Sequence, residues 1–182
     1  MKVIGVAGNG HGAGKTYIAT EIVKQIGDGG GASAVVAFAD PMKRMMAALL
    51  DIPVWDLYRL FPKEDPIPEL GGNSIRHAMQ TLGTEWGRTC MGYDFWVEVM
   101  NSTLKEYEKS GYELIAIDDV RFPNEFNMLR ENWNATMVYV DSDWVEPDAH
   151  PSEGQLSPDD FDEYFDYSET KEDFVSDILM RM

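Results

Sequence analysis

The pattern of apolar and polar positions along this 182-residue chain predicts strands and helices in alternation. Short continuous apolar runs are typical of strands buried on both faces, and the stretches between them carry apolar residues at helical spacing. The predicted strands are 3–7, 34–39, 114–117, 136–140 and 164–167, and the predicted helices are 16–26, 42–50, 74–86, 93–110, 122–132 and 169–180. The segment 53–68 contains four prolines and is predicted to form short turns. This alternation predicts a three-layer α/β/α fold with a mostly parallel, five-stranded sheet.

A glycine-rich segment separates the first predicted strand from the first predicted helix. Its residues are Asn9, Gly10, His11, Gly12, Ala13, Gly14, Lys15 and Thr16. This layout predicts a phosphate-binding P-loop, because the loop N–H groups and the helix N-terminus converge on phosphate oxygens. Lys15 is expected to contact the β- and γ-phosphates and Thr16 to ligate Mg²⁺. The alternative is an ordinary glycine-rich turn before a helix.

One position departs from the usual P-loop pattern. The first glycine position of G-x-x-x-x-G-K-[ST] is occupied by Asn9, and Gly8 lies one residue too early. Because asparagine tolerates left-handed backbone angles better than most residues, Asn9 either substitutes for that glycine or marks an insertion in the loop. His11 is expected to fill space in the loop rather than to transfer protons.

Charged residues follow the third predicted strand. Asp118 and Asp119 end that strand, and in P-loop proteins a carboxylate at this place holds Mg²⁺ directly or through water. One of the pair is expected to serve the metal and the other to cap the next turn, and the sequence leaves open which does which. Arg121 is placed to contact the phosphoryl group during its transfer.

A second set of polar residues is a candidate site for an anionic substrate. It comprises Asp40, Lys43, Arg76, Gln80, Thr84 and Arg88. Asp40 follows the second predicted strand, where it is expected to cap the next helix, to contact substrate, or both. The last four residues recur at spacings of four and are predicted to share one helix face, where two guanidinium groups suit a phosphate dianion. Surface ion pairing is the alternative for these residues.

Composition restricts the partners and the compartment. The chain has 15 basic and 32 acidic residues and a net charge of −17, which argues against double-stranded nucleic acid as a partner. No apolar run is long enough to span a membrane, and the single cysteine, Cys90, excludes an internal disulfide. These features predict a cytoplasmic protein without a membrane partner.

Four segments together resemble a known family. Residues 76–88 (RHAMQTLGTEWGR), followed by Trp96, resemble the R…Q-x-L-G-T-E-x-G-R…W signature of bacteriophage-type deoxynucleoside monophosphate kinases. Residues 119–125 (DVRFPNE), 38–43 (FADPMK) and 150–153 (HPSE) are similar to three further segments of that family. The segments follow the family order over nearly the whole chain.

The resemblance implies transfer of the ATP γ-phosphoryl group to a deoxynucleoside 5′-monophosphate in a P-loop fold of the nucleoside monophosphate kinase type. Asp40, Arg76, Gln80 and Arg88 are then expected to hold the monophosphate, and Arg121 to contact the transferred group. The role of the block containing His150 and Glu153 is left open. Relatives in the family suggest a possible homodimer.

The expected organisation is a single kinase domain over 1–182, with a substrate-binding helical excursion at about 51–110 and a lid-like segment at about 120–134. Two other functions fit the same motifs. The acceptor could be another small anion, resembling phosphomevalonate or dephospho-coenzyme A, or the loop could belong to a nucleotide switch. The sequence contains no N-K-x-D element for reading guanine, which argues against the switch.

Overall fold

The structure is a computed structural model that describes residues 1–10, 12–143, 145, 155–167 and 170–181. The strands are β1 (Lys2–Gly8), β2 (Ser33–Val36), β3 (Leu114–Ile117), β4 (Thr136–Val140) and β5 (Glu163–Phe165). The α-helices are α1 (Lys15–Asp28), α2 (Asp40–Leu49), α3 (Leu57–Leu60), α4 (Ile75–Thr81), α5 (Phe95–Lys109), α6 (Pro123–Trp133) and α7 (Lys171–Arg181). A π-helix covers Leu82–Met91, and short 3₁₀ turns cover Val54–Asp56, Pro68–Leu70 and Pro158–Asp160.

The five strands form one sheet in the order β2-β3-β1-β4-β5, and every pairing is parallel. Because parallel strands all end at the same edge, the loops after β1, β3, β4 and β5 meet at the carboxyl edge of the sheet. The glycine-rich loop follows β1, and Asp118 follows β3 directly. The topology therefore brings the glycine-rich loop and Asp118 to the same edge of the sheet.

Different helices cover the two faces of the sheet, since successive side chains of a strand point to opposite faces. Ile4 and Val6 of β1 lie in a fully buried cluster with Ile18 of α1 and with the buried residues of α7. On the other face Gly5 lies so close to Leu129 of α6 that a Cβ there would be 3.1 Å from Leu129 Cδ1. Burying each such aliphatic side chain contributes about 1.5–3 kcal/mol. The predicted three-layer α/β/α class with a parallel five-stranded sheet is confirmed.

Three local predictions were wrong. The second strand ends at Val36 rather than Ala39, and the N-cap of α2 is Ala39, so Asp40 is the first helical residue and not the cap. The predicted helix 74–86 is an α-helix only as far as Thr81. From Leu82 onward the backbone is a π-helix, with i to i+5 hydrogen bonds such as Gly92 N to Gly87 O at 3.1 Å.

The chain divides into two compact units. Unit 1 comprises Met1–Ala37 and Met100–Met182 and contains the sheet, and unit 2 comprises Phe38–Val99. Unit 2 has its own small core of Met46, Leu57, Ile67 and Ile75. It begins and ends earlier than the excursion predicted at about 51–110. The segment 120–134 contains α6, whose Met128 and Leu129 are buried, and its lid-like role stays a prediction.

No helix in the described part of the chain is long and apolar enough to cross a membrane.

Candidate active site

The glycine-rich loop in unit 1 is the predicted phosphate cradle. Gly12 and Gly14 have φ of 88° and 96°, left-handed values that glycine adopts without strain. Helix α1 begins at Lys15, so the backbone N–H groups of its first turn lie next to the loop. Lys15 is 9% exposed, and its Nζ donates to the Gly10 carbonyl oxygen at 2.5 Å. The loop therefore presents backbone donors and a buried ammonium group together.

Asn9 does not act through a left-handed backbone, as the sequence had suggested, because its φ is not positive. Its backbone N–H donates to the Val140 carbonyl oxygen at 3.2 Å. Its side-chain amide donates to the Asp141 carboxylate and, at 2.9 Å, to the Ser142 carbonyl oxygen. Asn9 thus ties the start of the loop to the segment after β4.

Thr16 and Asp118 face each other across the carboxyl edge of unit 1. The Thr16 hydroxyl donates to Asp118 Oδ2 at 2.5 Å. Asp118 is held by its own backbone, whose N–H donates to the Val36 carbonyl oxygen at 3.3 Å. The carboxylate that accepts from the Thr16 hydroxyl is thus that of Asp118, the first of the two aspartates. Geometry thus separates two residues that the sequence could not tell apart, although the metal role of either stays a prediction.

Glu125 was missed by the sequence reasoning as a residue that shapes this edge. It is 2% exposed, and its Oε2 accepts from the backbone N–H of Arg121 at 2.9 Å and of Phe122 at 3.1 Å. The Val120 N–H donates to the Val6 carbonyl oxygen at 3.2 Å. These bonds fix the backbone at Arg121, a predicted site residue that is itself partly buried. The signal in the sequence was a glutamate three residues after the start of a predicted helix, which is typical of a capping interaction.

In unit 2, three of the residues that are predicted to bind the substrate form ion pairs. Lys43 Nζ lies 2.8 Å from Asp40 Oδ1 within the first turn of α2. Arg76 at the start of α4 pairs through Nε with Glu64, whose side chain is 65% exposed. Exposed pairs such as that of Arg76 and Glu64 contribute only about 0–1 kcal/mol, so Arg76 can exchange Glu64 for a phosphate at small cost.

Tyr58 of α3 joins this group and was not identified from the sequence. Burial raises the pKa of the Tyr58 hydroxyl, and the nearby positive charges of Lys43 and Arg76 lower it in part. Lys63 Nζ lies 5.0 Å from the centre of the Tyr58 ring, and the Arg76 N–H donates to the Lys63 carbonyl oxygen at 2.9 Å. Unit 2 therefore gathers Lys43, Lys63 and Arg76 around one tyrosine. Tyr58 and Lys63 lie in the proline-rich segment 53–68, whose sequence has no helical periodicity that would point to them.

The remaining residues that are predicted to bind the substrate lie in α4 and in the π-helix that follows it. Gln80 lies at the end of α4, whereas Thr84 and Arg88 lie in the π-helix, so the uniform α-helical face predicted for them is wrong. The Arg88 guanidinium lies 5.9 Å from the centre of the Tyr93 ring and donates to the Tyr93 carbonyl oxygen at 3.4 Å. π-Helical turns are often found at functional sites.

Trp96 contacts both glycines of this segment, and its ring requires a glycine at position 87. Its indole N–H donates to the Gly83 carbonyl oxygen at 2.9 Å. A Cβ on Gly87 would lie 2.1 Å from Trp96 Nε1, which leaves no room for any side chain. The Gly83, Gly87 and Trp96 positions of the signature therefore form one packing unit that holds the π-helix in place.

Comparison with known proteins identifies the family. A family model described as deoxynucleotide monophosphate kinase matches residues 68–178, more than half of the chain. The chain belongs to the deoxynucleotide monophosphate kinase family. A protein of Acanthamoeba polyphaga mimivirus, provisionally named a deoxynucleotide monophosphate kinase, is 27% identical over 195 aligned positions, covering 98% of this chain and 95% of that protein.

One solved structure that the comparison matches is a mutant of the APS kinase CysC from Mycobacterium tuberculosis. It shares 9% identity and a TM-score of 0.49, with 98% of this chain and 94% of that chain covered. The family assignment rests on the sequence matches, and it makes this chain a phosphotransferase that acts on nucleotides.

For a kinase of this family, the donor-side residues suit a hard cation bound together with phosphates. The Thr16 hydroxyl and the Asp118 carboxylate offer oxygen ligands, which Mg²⁺ prefers. Among the described residues there is no cluster of three or more His, Cys, Asp or Glu that could hold a metal alone.

The structure brings the predicted residues together in two groups. Lys15, Thr16 and Asp118 are joined by their loop and edge contacts in unit 1, and Asp40, Lys43 and Arg76 lie in unit 2. His11, His150 and Glu153 lie outside the described residues.

Proposed function

We propose that this protein transfers the γ-phosphoryl group of ATP to a 2′-deoxynucleoside 5′-monophosphate, with Mg²⁺ as the accompanying cation. The observation that carries the proposal is the pairing of a buried, loop-bound Lys15 with the Thr16–Asp118 contact, in a member of the deoxynucleotide monophosphate kinase family. A phosphate cradle and an oxygen pair for a cation are the parts that nucleoside triphosphate chemistry needs.

On the donor side, the backbone N–H groups of residues 12–16 are proposed to bind the ATP phosphates. Lys15 supplies a positive charge that neutralises the β- and γ-phosphates as charge moves between them. Thr16 and Asp118 would hold Mg²⁺, which when bound neutralises phosphate charge and fixes the β- and γ-oxygens. Asp119 is the alternative carboxylate, and Arg121 is proposed to contact the transferred phosphoryl group.

On the acceptor side, Lys43 and Arg76 are proposed to bind the 5′-phosphate, with Asp40 holding Lys43 in place. The Tyr58 hydroxyl can donate to the same phosphate, because a tyrosine hydroxyl keeps its proton at neutral pH. Gln80, Thr84 and Arg88 are proposed to contact the base, the sugar or the phosphate.

The proposed reaction needs positioning and charge neutralisation rather than a covalent intermediate. The acceptor phosphate is already an anion, so no general base has to remove a proton from it. Two anions must meet in line, and cationic side chains reduce their mutual repulsion. This requirement explains why a chain of net charge −17 gathers several of its few basic residues at the two groups described above.

The test is an ADP-release assay with ATP·Mg²⁺ and each of dAMP, dGMP, dCMP, dTMP and dUMP, beside a reaction without acceptor. Turnover that depends on one or more of these nucleotides is the expected result. Equal ADP release with and without acceptor would instead support a nucleotide switch. Turnover only with phosphomevalonate or dephospho-coenzyme A would replace the acceptor and keep the kinase.

A further inference from the structure

The phosphate-binding loop is held from the segment that contains β5 and the residues directly after it. The Tyr167 hydroxyl donates to the Ala13 carbonyl oxygen at 2.6 Å. The approach is close, since a Cβ on Gly14 would lie 2.0 Å from the Tyr167 hydroxyl oxygen. Tyr167 and Ala13 are far apart in sequence, so no local pattern announces this bond.

The backbone at Tyr167 is specialised for this contact. Tyr167 has a φ of 64°, a left-handed value that costs a residue with a side chain free energy and is kept only where the surroundings demand it. Its ring packs 4.6 Å from the fully buried Phe165 ring. Burial raises the pKa of the Tyr167 hydroxyl, so it remains a donor at neutral pH.

The bond to Ala13 has a direct consequence for the phosphate cradle. A trans peptide group points its C=O and its N–H in opposite directions. When Tyr167 holds the Ala13 carbonyl on one side, the N–H of Gly14 is turned to the other side. Tyr167 thereby fixes the direction of a loop N–H group immediately before Lys15.

The other end of the loop is held from β5 as well. The Tyr164 hydroxyl donates to one oxygen of Asp141, and the other oxygen accepts from the Asn9 amide. That hydrogen bond raises the pKa of Tyr164 to about 12, so the hydroxyl stays protonated over the working range. The Tyr164 ring stacks on Tyr139 of β4 at 5.9 Å.

We infer that Tyr167 is a positioning residue for the triphosphate site, and that Tyr164, acting through Asp141 and Asn9, is a weaker second one. This inference rests on the proposed function of the loop. Neither tyrosine needs to touch the nucleotide: both act by preventing the loop backbone from turning its donors away from the phosphates.

The test is isothermal titration calorimetry of ATP·Mg²⁺ with the full-length chain and three hydroxyl deletions, Tyr167→Phe, Tyr164→Phe and Tyr112→Phe. Tyr112 is the matched control. It lies in the turn before β3, at the opposite edge of the sheet from the loop, and its ring packs on Tyr107 of α5. We expect Tyr167→Phe to weaken ATP binding about three- to ten-fold, Tyr164→Phe less, and Tyr112→Phe not at all. Thermal unfolding of each variant sets a titration temperature at which it is folded.

Inorganic tripolyphosphate as a competitor separates positioning of the loop from contact with the nucleoside. Its inhibition constant should rise by the same factor as the ATP dissociation constant in Tyr167→Phe, while the KM for the acceptor stays unchanged. Unchanged ATP binding in Tyr167→Phe would overturn the inference, as would a loss for ATP that tripolyphosphate does not share. Intact ATP binding without acceptor-dependent turnover would overturn only the proposed function.

Discussion

The glycine-rich loop of unit 1 and the cation group of unit 2, which comprises Lys43, Lys63 and Arg76, are built in opposite ways. The loop uses backbone donors, glycines with left-handed angles and a lysine that is 9% exposed. The cation group uses long side chains on short helices, in ion pairs such as that between Arg76 and the exposed Glu64. The first is fixed before any ligand binds, whereas the second can exchange partners. Preorganised donors stabilise a transition state more effectively than groups that must rearrange, so changes in the loop should cost more.

The largest expected effect is therefore that of Lys15→Ala. Removal of a preorganised charge facing the phosphates should lower kcat about 100- to 1000-fold, while the fold survives. The measurement is steady-state turnover together with the circular dichroism spectrum. Lys24→Ala on the same helix is the control, because its side chain is 61% exposed. A Lys15→Ala variant with wild-type turnover would contradict the role of the loop.

The next effect is that of Asp118→Asn compared with Asp119→Asn. Asp118 accepts from the Thr16 hydroxyl at the proposed magnesium site. Asp118→Asn should therefore lower the affinity for Mg²⁺, or the turnover, by about 10- to 100-fold. The measurement is turnover against Mg²⁺ concentration. If Asp119→Asn shows the larger shift, the magnesium carboxylate is Asp119.

Arg76→Gln should act on the acceptor only. Loss of a charged hydrogen bond to phosphate should raise the KM for the deoxynucleotide about 10-fold or more and leave the KM for ATP unchanged. Initial rates with each substrate varied in turn provide the measurement.

The matched variant is Glu64→Gln, which removes the partner that competes with phosphate for Arg76. The acceptor KM should fall by a factor of about five at most, because an exposed pair contributes little. A rise in that KM would show that Glu64 helps to hold Arg76 for the substrate, and that the comparison with the fixed loop is wrong.

The smallest effect on turnover is expected from Gly87→Ala, whose main consequence is on stability. The new methyl group would meet the Trp96 indole, and such overpacking costs about 1–3 kcal/mol. Gly27→Ala is the control, since its nearest neighbour would be 3.8 Å away and a helical glycine-to-alanine change adds about 0.5–1 kcal/mol. Urea denaturation measures both. Equal stability of the two variants would show that Trp96 does not hold the π-helix.

The sequence by itself determined the order of strands and helices along the chain, and it predicted a phosphate-binding loop. Continuous apolar runs identify buried strands, and a glycine-rich turn before Lys15 and Thr16 predicts a phosphate cradle, because both signals are local. The same reasoning found Asp118 and Asp119 at the end of β3, and found Arg76 and Arg88 as candidates for phosphate. The sequence did not predict the ion pair of Arg76, the change to a π-helix or the N-cap of α2.

Only the tertiary structure decided which distant groups meet. It placed Thr16 against Asp118 rather than Asp119, and it placed Tyr167 on the carbonyl of Ala13. It also showed that Asn9 is not in a left-handed conformation and that its side-chain amide donates a hydrogen bond to Asp141. These contacts join residues more than a hundred positions apart, and the free energy of each depends on a distance and an angle that no periodicity along the chain encodes.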